Sequence, residues 1–427
     1  MRSQPAYFAG GFLSAVIAIL LLSCAGPPQL RFQFPAGEPF VRVCLSDRVR
    51  QAEIGLDGDI VLQHGSKEYR VTGKSRLKVE LGENNLLVVS ADGIYLGGFS
   101  GQISCVHVSP DRLFRYKKRM YSDTMRITTD GETLFVLNVL PVERYLGGVV
   151  SNEIGHRKKR EAEAVKAQAV LARTYVLRKV IIPTVRLFDV YDDTRDQVFT
   201  GAAGSGPLVE TALNNTRGIA LAYNDKLAHV YYHSTCGGAT ASPEEAWTSK
   251  QRIPYLTSIR DRSRYSEWCS ISPFFRWKER YSRKRMEQLI RKYLPKTVAE
   301  YSNEHFSNSD FLLGLFVKKR YASGRVKQLD IVFGDKQHRR TFTLRSDKIR
   351  YVLREPNHET ILHSTLFNLR ITRDAQKWIS SIVIEGAGKG HGVGLCQWGA
   401  IGQARAGMSF ERILAFYFPG THLAALY

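Results

Sequence analysis

Between Leu134 and Arg178 the chain changes period, and this change limits the folds open to it. Leu134 to Leu140 is an apolar, strand-like run. Pro141 follows it, and a residue without an N–H suits the first turn of a helix. Farther on, Ala162, Val165, Ala169, Ala172 and Val176 recur every three or four residues. That spacing predicts one apolar helix face built mostly of small, close-packing side chains. Between strand and helix, Ser151-Asn152-Glu153-Ile154-Gly155 reads as a break that carries one carboxylate beside buried structure. Desolvation there raises a carboxyl pKa towards the range of a general acid, which makes Glu153 the candidate catalytic residue.

With 427 residues, 44% of them apolar, the chain is long enough for a sizeable core and two or three domains. Lys and Arg number 61 against 40 Asp and Glu, a formal charge of +21. Such a surplus favours polyanionic partners, whether nucleic acid, anionic lipid or an acidic wall polymer. The N-terminus narrows the choice. Arg2 precedes an apolar run from Phe8 to Leu22, and Leu21-Leu22-Ser23-Cys24 reads as a lipobox. Residues 1–23 are then a signal peptide and Cys24 is the lipidation site, with 24–38 a Pro-rich tether. The alternative is a retained anchor helix, although the run falls short of the roughly 20 residues that span a bilayer. Either reading puts the folded part outside the cytoplasm, anchored at a membrane, and makes nucleic acid a poor partner.

Lipidation of Cys24 leaves Cys44, Cys105, Cys236, Cys269 and Cys396, an odd set. Cys44 and Cys105 flank a β-rich segment that a disulfide would close in an oxidising compartment. That segment, 39–110, alternates in short runs broken by Asp57-Gly58 and Asp92-Gly93. It carries no cluster of acid, base and nucleophile and reads as an accessory domain. Thr124 to Leu140 predicts a hairpin about Asp130-Gly131. Leu227 to Thr235 has strand periodicity, with Ala228, Val230 and Tyr232 on one face and His229, Tyr231 and His233 on the other. His233 and Cys236 have the spacing of two metal ligands, but a structural zinc needs four and no second pair is evident. Residues 260–320 form a basic, aromatic and partly helical insertion, in which Met286, Leu289, Ile290 and Tyr293 at helical spacing read as core contacts. Gly386, Gly388, Gly390, Gly392 and Gly394 alternate through a loop that lets backbone or ligand approach closely. Ser409 is a candidate cap for a short final helix.

Several segments together resemble the SpoIID/LytB family, the stage II sporulation protein D type of lytic transglycosylase and its amidase-enhancer relatives. They are YLGGVVSNEI, EAVKAQAVLARTYVL, DQVFTG, YYHSTCGGATASPEEAW, SGRVKQL and GAGKGHGVGLCQWGAIGQARAGMSFERILAFYFPGTHL. The resemblance implies an α+β fold: a mixed α/β SpoIID-type catalytic core over 115–427, preceded by the β-rich segment. It implies Glu153 as catalytic residue, with Arg173, Gln197, His233, Ser234, His391 and Gln397 as substrate-binding residues. Some members bind zinc through a cysteine and a histidine in the segment matching Asp189 to Gly201, where this chain has neither residue type. No metal or other cofactor is carried over.

The chemistry implied is cleavage of the MurNAc–GlcNAc bond in peptidoglycan glycan strands, leaving 1,6-anhydroMurNAc ends. One carboxylate suffices where two are usual, because the attacking group is the substrate's own C6 hydroxyl. Two rival readings stand beside it. One is a non-catalytic peptidoglycan-binding protein that enhances a cell-wall amidase. The other is a basic module that binds polymers or membranes through its charge.

Overall fold

The structure is a computed structural model that describes residues 37–182, 187–202, 205–307, 309–335 and 338–427. The signal peptide expected at 1–23, Cys24 and most of the tether expected at 24–38 lie outside the described residues. The architecture is α+β, with sheets and helices sharing cores.

A seven-stranded sheet runs, in spatial order, through Val190–Tyr191, Phe40–Val49, Leu134–Pro141, Thr124–Thr129, Gln102–His107, Ile60–His64 and Lys67–Val71. A six-stranded sheet takes the other described strands before residue 122. Alternation decides which side chains enter the core: Val41 and Val43 on the first long strand, and Val79, Leu87 and Val89 in the second sheet, are all fully buried. The large sheet draws strands from both sides of residues 110–115, so the N-terminal β segment and the helices behind it share one hydrophobic cluster. The expected hairpin is present, with Thr129 paired to Leu134.

The expected Cys44–Cys105 disulfide is not formed. Their strands lie in one sheet with two others between them, a separation of about 14 Å at the usual strand spacing. A disulfide spans less than about 7 Å between Cα atoms.

Pro141 ends its strand and sits at the N-cap of helix α1 (Val142–Ile154). Helix α2 (Ala162–Ile181) departs from the one-sided burial its spacing predicts: every residue from Ala167 to Thr174 is buried. It is the central helix of the domain, packed by α1, by α3 (Pro207–Asn215), by the strand Ile219–Tyr223 and by two C-terminal helices. Small side chains all round it are what permit this enclosure.

A second core gathers residues between Tyr281 and Ile384. Helix α4 (Arg283–Thr297) places Met286, Leu289 and Ile290 in it, against two three-stranded sheets. Ser282 caps α4 by accepting the Arg285 N–H at 3.1 Å. The chain then returns to the first core with α5 (Gln397–Arg405) and α6 (Phe410–Tyr417). Ser409 occupies the N-cap of α6, but its hydroxyl makes no capping bond. Glu163 of α2 instead accepts the Phe410 N–H at 2.8 Å, tying the two helices together.

Candidate functional site

Glu153 belongs to the last turn of α1, and the break falls two residues later at Gly155, whose φ of +71° suits glycine. Its half-buried carboxylate accepts the Val198 N–H at 3.1 Å and a hydrogen bond from the Tyr232 phenol. Desolvation outweighs both bonds and raises the carboxyl above its ordinary pKa. Among the described residues no cation pairs with it.

A relay of polar side chains stands behind this carboxylate. Tyr145 of α1 donates to Gln197 Oε1 at 3.3 Å, and Gln197 Nε2 donates to the Tyr232 oxygen at 3.0 Å. Burial pushes both phenols far above the usual tyrosine range, so they stay neutral. Gln397, the first residue of α5, donates its Nε2 to the Glu153 carbonyl at 2.9 Å and to Gln168 Oε1 at 3.2 Å. It thereby satisfies one of the carbonyls that a helix C-terminus leaves open.

Gln197 and Gln397 are therefore brought to Glu153, while the Arg173 and His233 side chains are engaged by other partners. Arg173 is fully buried and forms a two-pronged ion pair with Glu143, both N–O distances being 2.7 Å. Glu143 lies in the first turn of α1, ten residues from Glu153, about 15 Å along the axis. Arg173 thus fastens α2 to the far end of α1. His233 neighbours Tyr232 on a strand, so its side chain takes the opposite face. Its Nδ1 lies 3.1 Å from the Val393 carbonyl, its buried Nε2 meets no hydrogen-bond partner among the described residues, and burial holds its pKa well down. The ring of His391 packs on His233 and Trp247, with centroids 5.6 and 4.9 Å away, and its Nδ1 accepts the Val393 N–H at 3.0 Å. Burial lowers its pKa to about 4. Ser234 shares a 3.3 Å contact with the Thr235 hydroxyl and gives its carbonyl to the Trp398 N–H.

Tyr232, Tyr145 and the Val198 N–H are the contributors to this site that the sequence reading passed over. Strand alternation held the signal for Tyr232, because it separated Tyr232 from His233.

The glycine loop lies against the same strand. A Cβ on Gly394, at φ +72°, would sit 2.1 Å from the Tyr231 carbonyl, and one on Gly388 would sit 2.6 Å from that of Thr235. The close approach that the alternating glycines allow is thus one backbone against another. The acidic loop after α2 is occupied by the protein's own groups: Asp196 pairs with Lys179 at 2.8 Å and accepts from Tyr175 at 2.6 Å. The donor atoms of Cys236, Cys269, Cys396 and Asp261, all buried, lie within 4.8 Å of one another. A cavity of 840 Å³ bordered by Arg276, Trp277, Lys278 and Arg320 opens beside the second core, and Glu153 is not among its lining residues.

Fold and site together define a mixed α+β protein with one desolvated carboxylate at the end of a buried helix pair. Residues 130–223, which hold that helix pair, match the family model described as Stage II sporulation protein, SpoIID. Residues 264–394 match a second, described as a domain of unknown function, DUF8618. The amidase enhancer of Bacillus subtilis is 29% identical over 66% of this chain and 40% of its own length. The stage II sporulation protein D of the same organism is 25% identical over 67% of this chain and 75% of its own. An uncharacterized protein of Brachyspira hyodysenteriae is 28% identical over 91% of this chain and 94% of its own. The matched domain and these relatives make the chain similar to the SpoIID/LytB family over the segment that carries Glu153.

Proposed function

We propose that this protein is an exported, lipid-anchored lytic transglycosylase that cuts peptidoglycan glycan strands, with Glu153 as its single general acid and base. The observation that carries the reading is the state of the Glu153 carboxyl: desolvated, raised in pKa, unpaired with any cation among the described residues, and held by Val198 and Tyr232. A carboxyl so placed holds its proton more tightly than a solvated one and can deliver it to a glycosidic oxygen. As that bond breaks, the sugar passes through an oxocarbenium-like state. Its own C6 hydroxyl then closes on C1 and gives its proton to the Glu153 carboxylate, which resets the acid. No water is consumed, and the new end is a 1,6-anhydro sugar.

On this reading residues 1–23 direct export, Cys24 carries the lipid and 24–38 form the tether. Among the described residues no helix is long and apolar enough to cross a membrane. The test is mass spectrometry of glycan strands, intact and stripped of peptide, after incubation with the protein.

One observation favours a second reading, the likeness to an amidase enhancer. In that role the same fold binds glycan without cutting it and raises the activity of a partner amidase. Retained glycan binding without cleavage, together with a faster amidase in a mixed reaction, would select it.

A further inference from the structure

Four buried donors converge at a point that the proposed chemistry does not use. Cys236 follows the HST strand, Asp261 and Cys269 come from the loop leading towards the second core, and Cys396 is the N-cap of α5. The Cys236 and Cys269 sulfurs are 3.5 Å apart, and Asp261 Oδ2 is 3.1 Å from the Cys236 sulfur. Two thiolates about 2.3 Å from one tetrahedral zinc stand roughly 3.8 Å apart, so the cluster is near the size of a filled site.

The surroundings are arranged for thiolates and for one free carboxylate oxygen. Backbone N–H groups point at sulfur: that of Cys236 at Cys396 Sγ (3.2 Å), that of Gly399 at the same sulfur (3.3 Å), and that of Gly238 at Cys236 Sγ (3.4 Å). Cys396 also stands at the positive end of a nine-residue helix. Tyr417 donates to Asp261 Oδ1 at 2.5 Å, which orients the carboxylate and leaves Oδ2 towards the sulfurs. The fully buried Arg325 donates to the Cys236 carbonyl at 3.0 Å, placing a positive charge beside a negative cluster. Gly399 has no room for a side chain, since a Cβ there would meet the Tyr417 hydroxyl at 2.1 Å.

We infer that Cys236, Asp261, Cys269 and Cys396 form a structural zinc site. Three thiolates and one carboxylate fill a tetrahedral shell and leave no position for a water nucleophile, so the metal staples and does not catalyse. It joins the HST strand, the 261–269 loop and the start of α5, whose next residue, Gln397, holds the Glu153 carbonyl. Binding releases the thiol protons to solvent and changes no oxidation state. The site is separate from the Asp189 to Gly201 segment, whose acidic side chains are engaged by the protein's own cations.

The test uses the whole chain purified with reductant from zinc-replete cells and exchanged into chelator-free buffer. The inference predicts about one zinc per chain by elemental analysis. Replacement by cobalt should give the charge-transfer and intense visible bands of a tetrahedral thiolate site. Cys269→Ser and Cys396→Ser should lose most of the metal. Asp261→Cys, which keeps four donors, should retain it, with charge-transfer intensity raised by about a third as a fourth thiolate joins. Chain without bound metal that carries reactive thiols or a mapped Cys236–Cys269 disulfide would overturn the inference. So would metal retained undiminished in both serine variants.

Discussion

Gln397 Nε2 donates to the main-chain carbonyl of Glu153 at 2.9 Å, joining residues 244 positions apart. The same amide group bonds to Gln168 of the central helix. The first turn of α5 therefore fixes the last turn of α1, and with it the backbone that carries the carboxylate. Gln397→Ala removes both bonds and leaves a carbonyl with less satisfaction. A loss of about 1–3 kcal/mol in urea unfolding is expected. Turnover should fall more than apparent substrate affinity, because the lost bonds hold the backbone that carries the acid. A change in affinity alone would contradict this placement.

Arg173 gives a contrasting expectation. Its guanidinium is buried against Glu143, whose oxygens also accept from the Gly218 N–H and the Tyr427 hydroxyl. Glu143 stays ionised because, although burial opposes its charge, the Arg173 pair and these hydrogen bonds outweigh it. Arg173→Ala leaves that carboxylate enclosed without its cation, at a cost of about 3–5 kcal/mol. Thermal unfolding should register it, and the protein that remains folded should bind glycan normally. Weakened binding at unchanged stability would return Arg173 to the substrate.

The pH behaviour follows from the raised pKa of Glu153. As the acid, it must begin protonated, so cleavage should decline as pH rises through its folded pKa. In stability the same shift has a definite sign. The folded state holds this proton more tightly than the unfolded chain, so the group favours the fold at low pH and costs stability once it ionises. Glu153→Gln abolishes that cost. Its melting temperature should match the native protein's below the ordinary carboxyl pKa of about 4.3 and exceed it at neutral pH. Equal melting temperatures throughout would mean that the carboxylate is not desolvated.

Much of this architecture was legible in the chain because it rests on local rules. Alternation gave the strands, the Asp130-Gly131 turn gave the hairpin, and the small residues of the central helix foretold close packing. The extent of that packing was not legible, since periodicity marks one face and the neighbours that enclosed α2 come from distant segments. Of the residues proposed around Glu153, Gln197 and Gln397 were found by motif. Arg173 and His233 share the same motifs but are turned away, one by helix length and one by strand alternation. The cysteine and aspartate cluster was invisible for a related reason. Its donors lie as far as 160 positions apart, as for Cys236 and Cys396, so no ligand spacing appears along the chain.

The most direct measurement compares native protein and Glu153→Gln on purified peptidoglycan strands, intact and peptide-free, with mass spectrometry of the released ends. The native protein should yield 1,6-anhydromuramyl ends, and the variant should lose them while still folding and still binding glycan. Anhydro ends that persist in the variant would contradict the assignment of Glu153. Binding without any cleavage by the native protein would contradict the transglycosylase reading itself.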